Sequence, residues 1–482
     1  MSESKPRVLV VGGGISGLVA AYDLSRSGAQ VVVAESSERL GGKLYADEIA
    51  GVPVDLGAES MLARRPEAVQ LAREVGLAEE LQPPAIAQAA LWTRGRLRPM
   101  PRGHIMGVPG DLGPLSASGV ISAAGLARLP LDHVLPRTPV GDDVAIGEYV
   151  AARLGHEVVD RLVEPLLGGV YAGNAYRISM RAAVPQLFEA VAQGGRSLIE
   201  GVRQAQRRAA AAAPQDGPVF MGIRGGVGRL PLAVADACRA AGTRILDRTA
   251  MRELKRTPRG WQAVVDGPDG RTLLDVDAVV LAAPAPVASR LLSAESPAAA
   301  AELASVEYAS VALVTMAFRR RDLLNLPNSS GFLVPPVEGR TVKASTFASR
   351  KWGWIRDASP DTVVLRTSVG RHGEEHHLER EDTDLVRLSR EDLSAAIGLT
   401  AAPVAARVTR WDSGLPQYPV GHLQRVARIR EHVAKLPGLV VCGAAYDGVG
   451  IPACIAGARE AARYLSQQPG TLERPASGGA RE

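Results

Sequence analysis

The residues best suited to chemistry in this chain are glycines. Near its start stands Val11-Gly12-Gly13-Gly14-Ile15-Ser16-Gly17-Leu18, and near its finish Gly448-Val449-Gly450-Ile451-Pro452. Gly12, Gly14 and Gly17, following the apolar run Arg7 to Val11, suit a strand that turns tightly into a helix. Gly12 makes the turn, Gly14 lets backbone approach a pyrophosphate, and Gly17 lets the helix lie close to the strand. Ile15 and Ser16 then open a helix whose N-terminal N–H groups face the phosphates. A second β-rich run, Gln30 to Ala34, delivers Glu35 eighteen residues after Gly17. There a carboxylate accepts both hydroxyls of a ribose and disfavours a 2′-phosphate. The pattern predicts a dinucleotide site; by itself it is compatible with NAD.

Composition narrows what can surround that site. The 482 residues are 46% apolar and 22% charged, ordinary for a soluble enzyme of two or three domains. Formal charge is +5, yet the basic residues are scattered, which argues for a solvated basic surface and against nucleic-acid binding. Local basic clusters would suit a polycarboxylate substrate. Cys238, Cys442 and Cys454 show no Cys-x-x-Cys spacing and read as reduced structural residues of a cytoplasmic protein. The histidines lack metal-ligand spacing, so no metal site is expected. Met1 to Pro6 is too short and polar for a secretion signal. The longest uncharged stretch, sixteen residues between Asp111 and Arg128, is too short to span a bilayer. It suits the lining of an apolar pocket, or at most peripheral contact with a membrane.

The elements that position these residues can be placed along the chain. Pro66 begins a helix that continues through Ala68 to Val75. From about Leu91 to Ala205 helices and irregular loops dominate, and Arg207 to Pro214 closes a helix before a linker. Thr243 to Ile245 and Met251 to Leu254 read as strands, with Trp261 to Asp266 and Ala278 to Leu281 completing a hairpin-like set. Residues 291–425 alternate β-rich runs with helices, which suits a substrate domain floored by a sheet. Gly438 to Cys442 is the last strand and Pro452 to Leu465 the last helix. The polar tail, residues 467–482, reads as disordered.

Ser36 to Lys43, with its Gly41-Gly42 pair, and Asp55-Leu56-Gly57-Ala58-Glu59-Ser60 resemble the second glycine pair and the Gly-Ala-x-Ser segment of FAD-dependent amine oxidase-like flavoproteins. Further segments are similar to the oxygen-dependent porphyrinogen oxidases. They are Glu164 to Asn174, Phe220 to Leu230, Arg410-Trp411-Asp412 with Leu415 to His422, and Gly443 to Ile455. Pro99 to Pro109, and Lys343-Ala344-Ser345-Thr346-Phe347 leading to Lys351-Trp352, resemble the Gram-positive branch, whose members oxidise coproporphyrinogen III.

This resemblance implies an α/β fold: a discontinuous Rossmann-like FAD-binding domain (1–90, 215–290 and 426–466), an inserted helical subdomain (91–214) and an α+β substrate domain (291–425). It implies non-covalent FAD, dioxygen as acceptor and coproporphyrinogen III as substrate, with product handed to a ferrochelatase. Besides Gly12 to Gly17 and Glu35, the cofactor residues it implies are Ser36, Arg39, Gly42, Lys43, Gly57, Ala58, Glu59 and Ser60, the Met251 backbone at adenine, Trp411 at the flavin edge, and Val449, Gly450 and Ile451 at flavin O2. No side-chain base is expected, because the flavin carries the chemistry. Propionates call for guanidinium or ammonium groups, and Arg64 and Arg65 are the best-placed candidates, with Arg94, Arg96, Arg98, Arg102 and Lys343 at the rim. The rival readings are a protoporphyrinogen IX oxidase, an amine oxidase or carotenoid desaturase, and a non-enzymatic flavin- or haem-binding partner.

Overall fold

A computed structural model describes residues 5–193, 195–212, 217–323 and 325–467; the expected tail from 468 onward lies outside them. Five parallel strands form the first sheet, in the order Arg244–Leu246, Gln30–Ala34, Arg7–Val11, Ala278–Leu281 and Leu439–Val441. Ile245, Val33, Val10, Val280 and Val440 stand in one register row across it. β-Branched side chains buried on both faces are what an interior parallel sheet requires. Helices Ile15–Arg26, Arg229–Ala240 and Ile451–Gln467 cover one face. The other is covered by an antiparallel meander, Ala250–Thr257, Gly260–Gly267 and Gly270–Val276, and by helices including Ala285–Leu292 and His422–Val433.

Ala278–Leu281 does not complete the hairpin set that its neighbours suggest. It pairs in parallel with Arg7–Val11, and Gly270–Val276 takes the third place in the meander. The reason is burial: all four residues of Ala278–Leu281 are enclosed, whereas Gly270 to Leu273 of the meander strand are all exposed.

A second sheet has seven strands, in the order Ala405–Pro416, Tyr308–Arg319, Thr362–Val369, Val342–Thr346, Gly331–Leu333, Ala90–Thr93 and Arg96–Pro99. Residues 90–99 thus belong to this sheet, and the succession of helices after them begins at Leu112. One face carries Val314, Met316, Phe332, Val342 and Leu365, and packs on Leu385 and Leu393 of helix Asp382–Ile397. Across the middle of the opposite face runs the row Thr409, Leu313, Ser368, Ala344 and Leu333. All five are only half-buried, so this face borders open space. Five strands in register span about 19 Å, wide enough to floor a large planar ligand.

Helices between Leu112 and Ala212 close over a separate core. Leu115, Val120 and Ile121, from the long uncharged stretch, are buried in that core and line neither a pocket nor a membrane face. Among the described residues no helix is long and apolar enough to cross a membrane. A buried ion pair pins the helices together. Asp132 accepts from Arg153 Nε at 2.7 Å, from Ser197 Oγ at 2.6 Å and from Ile199 N at 3.0 Å. Arg153 also donates to the carbonyls of Pro136 and Arg196. Asp132→Ala leaves the guanidinium buried without a counter-ion, and chemical denaturation is expected to show a loss of about 3–5 kcal/mol.

Candidate functional site

The first glycine cluster is built by exclusion. Gly12 has φ +107°, and a Cβ on it would lie 2.8 Å from the carbonyl oxygen of Ala282. A Cβ on Gly17 would lie 1.9 Å from the Gly12 oxygen, so helix Ile15–Arg26 rests directly on the turn. Gly14 differs: a Cβ there meets nothing within 4 Å. The helix begins at Gly14 without a side-chain cap, leaving its first N–H groups directed into that space. Glu35 is held at the end of the second strand, accepting from Gly13 N at 2.7 Å and from Ser37 N at 2.8 Å. Ser36 beside it is exposed. Thr249 N donates to the Glu35 carbonyl, which brings the chain entering Met251 alongside; the Met251 side chain joins the core under the sheet.

The second glycine cluster meets the first. Ser16 Oγ donates to the carbonyl of Cys454 at 3.3 Å across a sequence separation of 438 residues. This seats helix Ile451–Gln467 against helix Ile15–Arg26, with Gly450 just before it, where a Cβ would touch only Pro452 Cδ at 3.9 Å. Val449 packs on the helical core. Tyr418 OH donates to the Ala444 carbonyl at 2.5 Å, and the His422 ring stacks on Tyr418 at 3.8 Å, so Leu415 to His422 buttresses the loop leading into the second cluster.

Between the clusters lies Arg39 to Ser60. Arg39 donates to the Gly42 carbonyl at 2.8 Å, and its guanidinium lies 4.2 Å from the Tyr45 ring centre and 5.6 Å from that of Trp411. Trp411 Nε1 donates to the Leu56 carbonyl at 3.0 Å. The Trp411 edge approaches Gly57, where a Cβ would strike the Lys43 carbonyl. Ala58 N donates to that same carbonyl at 3.1 Å. Burial pulls the Lys43 ammonium below the usual lysine range. Asp55 accepts from Val227 N and Gly228 N, which ties Phe220 to Leu230 to this loop. Ser60 is half-buried at the loop's end.

Glu59 has a different neighbourhood from the glycines around it. Its carboxylate accepts from Lys351 Nζ, and from Arg366 Nη1 at 2.9 Å; Arg366 Nη2 donates to the Gly57 carbonyl at 2.8 Å. Burial alone would raise its pKa, but the two cations outweigh burial and hold the carboxyl below its usual range. Arg366 shares the open face of the seven-stranded sheet with Ser368, so this ion triad joins the glycine loop to the floor. Sequence reasoning missed Arg366. Its signal was a lone charge within Val363-Val364-Leu365-Arg366-Thr367-Ser368-Val369.

The candidate carboxylate-binding residues are not brought together. Arg64 and Arg65 are exposed, and Arg65 pairs with Glu67 at 2.7 Å. Arg94 pairs with Glu157, Arg98 donates to the Thr93 carbonyl, and Arg96 and Arg102 face solvent. Lys343 is not on a rim at all: it is 8% exposed, at a bulge between Val342 and Ala344. A bulge turns a residue out of the strand's alternation, which is why its position in the strand did not reveal its burial.

The chain matches the family described as flavin containing amine oxidoreductase over residues 15–466. It is 37% identical to coproporphyrinogen III oxidase of Mycobacterium tuberculosis (strain ATCC 25618 / H37Rv), covering 94% of this chain and 95% of that one. It is 32% identical to coproporphyrinogen III oxidase of Bacillus subtilis (strain 168), covering 94% and 97%. A crystal structure from Exiguobacterium sp., assigned as a protoporphyrinogen oxidase, superposes with a TM-score of 0.84 at 31% identity, covering 96% of this chain and 99% of that one.

The contrast between two glycines tests the geometry. Gly14→Ala fills only open space, so stability of the ligand-free protein should stay within about 1 kcal/mol while bound flavin, read by absorbance, falls at least tenfold. Gly17→Ala drives a methyl into backbone and should cost about 2–3 kcal/mol whether or not flavin is present.

Proposed function

Because this chain belongs to the flavin containing amine oxidoreductase family, we propose that it oxidises coproporphyrinogen III to coproporphyrin III with FAD and dioxygen. The observation that carries this reading is the union of an uncapped helix end at Gly14 with a half-buried sheet face ending at Trp411. One suits a dinucleotide, and the other a flat substrate laid beside it.

The residues fit the cofactor. The open space at Gly14, walled by turns that tolerate no Cβ at Gly12 and Gly17, admits a pyrophosphate to the helix N-terminus. The fixed Glu35 carboxylate takes the ribose hydroxyls, and the Met251 backbone borders adenine. Arg39, Gly42, Lys43, Gly57, Ala58, Ser60 and Trp411 frame the flavin, and Val449, Gly450 and Ile451 present helix N–H groups to its O2. Glu59 contributes at one remove, by holding Arg366 and Lys351 beside Gly57. Non-covalent binding is favoured by the cysteines: burial pushes Cys442 up to about 12 and Cys454 to about 11, leaving neither a nucleophile near neutral pH. The same protonated, unpaired thiols suit a reducing cytoplasm.

Aromatising the macrocycle removes six electrons, three pairs with three dioxygens consumed and three hydrogen peroxides released. When bound, FAD supplies two-electron acceptance at N5 and reoxidation by dioxygen. The chain orients the substrate: Leu313, Ala344 and Leu333 give an apolar floor, Ser368 and Thr409 small polar contacts, and Trp411 closes the flavin end. No side chain is assigned as an obligatory base; beside the three hydrides from meso carbons, three protons leave to solvent, two from pyrrole nitrogens and one from the fourth meso carbon by tautomerisation. Of the carboxylate candidates Lys343 is assigned to the substrate; Arg64 and Arg65 are exposed, and Arg65 is already paired with Glu67. Transfer of product to a ferrochelatase fits an acceptor of free porphyrin.

Anaerobically prepared coproporphyrinogen III and protoporphyrinogen IX, offered separately and followed by porphyrin fluorescence, decide between the nearest readings. The tetracarboxylate is expected to turn over at least tenfold faster in kcat/KM, with three peroxides per porphyrin. Faster oxidation of the IX isomer overturns the assignment. Mixing with substrate under anaerobic conditions should bleach the flavin band, an outcome a non-enzymatic binding partner cannot give.

A further inference from the structure

Lys343 and Arg371 stand out because both are buried cations at the ends of two neighbouring central strands of the seven-stranded sheet, Val342–Thr346 and Thr362–Val369. Arg371 follows Thr362–Val369 directly, is 6% exposed, and donates to the Val334 carbonyl at 3.0 Å and to Glu374 at 3.1 Å. Lys343 is anchored through its carbonyl, which accepts from Val334 N. Among the described residues no group accepts a hydrogen bond from its ammonium, and the charges that act on it are Arg371 and Glu374. Burial, reinforced by Arg371, pulls the Lys343 pKa down to about 7. The nearby carboxyl of Glu164 offers little relief: burial pushes it up to about 7, and it already accepts from Ala175 N at 2.6 Å. An unpartnered buried ammonium beside a second cation costs folding free energy. It persists where something else completes it.

The site lies at one end of the floor. Ala344 and Leu333, in the half-buried row, adjoin Lys343 and Val334 in sequence. Helix Glu164–Tyr171 roofs this end: a Cβ on Gly169 would lie 3.7 Å from Leu333, while one on the buried Gly168 would meet nothing within 4 Å. A planar ligand lying across these strands beside Trp411 thus has part of its periphery toward Lys343 and Arg371.

We propose that Lys343 and Arg371 form a buried subsite for one peripheral carboxylate of the macrocycle, and that this subsite selects a tetracarboxylate over a dicarboxylate porphyrinogen. The inference rests on the substrate reading above. A guanidinium and an ammonium converging on one carboxylate bind it strongly. Where the rival substrate carries a vinyl group in place of a propionate, the Lys343 ammonium stays without an acceptor, so discrimination exceeds what apolar contact provides.

Flavin-loaded wild type, Lys343→Met and Lys343→Arg test this. Binding of coproporphyrin III and protoporphyrin IX is read by quenching of tryptophan fluorescence, and kcat and KM are measured for both porphyrinogens. Lys343→Met should weaken coproporphyrin III binding and raise KM for its porphyrinogen about tenfold or more, with kcat within about threefold, and shift protoporphyrin IX binding less than about twofold. Lys343→Arg should recover most of the loss. The ligand-free Lys343→Met protein should melt at or above the wild-type temperature, since it loses an unpartnered buried charge. Equal loss for both porphyrins, no loss for either, or a lowered melting temperature overturns the subsite. Should wild type oxidise neither porphyrinogen, the reaction assignment fails, and the binding comparison still decides the subsite.

Discussion

One carboxylate holds the two halves of the site in register. Glu59 sits on the loop that follows Gly57, and its partners Lys351 and Arg366 belong to the seven-stranded sheet and the helix beside it. Arg366 reaches past Glu59 to the Gly57 carbonyl as well. Without Glu59 two cations would face each other in a largely enclosed position, a penalty of several kcal/mol. Charge and apolar packing together set the distance between floor and glycine loop, since Val54 and Leu56, just before Gly57, share a buried cluster with Ala317, Val364 and Trp352.

Around that hub the site is made by omission as much as by presence. Side chains are missing at Gly12 and Gly17 because backbone fills the volume, whereas at Gly14 the volume is open. The helices starting at Ile15 and Ile451 meet through Ser16 and Cys454, so their positive ends lie on neighbouring sides of one space. Opposite them the floor is apolar and small-chained, with Arg366 the exception near the flavin end. Partial positive charge near the cofactor and low polarity under the substrate suit removal of hydride equivalents from a carbon framework.

Much of this was legible in the sequence, and the exceptions share a cause. The dinucleotide unit is local: strand, turn, helix, strand and acid occupy residues 7–35, and spacing within so short a segment fixes geometry. Helix Pro66–Glu74 and the terminal helix were likewise legible from proline position and periodicity. What failed depended on distant partners. Ala278–Leu281 looks like any short apolar strand until its neighbour Arg7–Val11 is known. Residues 90–99 precede a helical stretch, yet pair with Gly331–Leu333 more than two hundred positions away. Lys343 and Glu59 carry charges whose roles are set by Arg371, Lys351 and Arg366, which arrive from other strands and loops. No window along the chain contains both members of such a pair.

The contact between Ser16 and Cys454 also bears on how the protein is made. The strand–turn–helix around Ser16 leaves the ribosome 438 residues ahead of Cys454 in the helix that flanks it. Until then its apolar flank, including Leu18 and Ala21, has no cover from Ile455 or Ala458. The segment must wait with a sticky surface while those residues are made, at about 5–20 residues per second a delay of tens of seconds. Closure of the space between the two glycine clusters is accordingly a late event in the making of the fold.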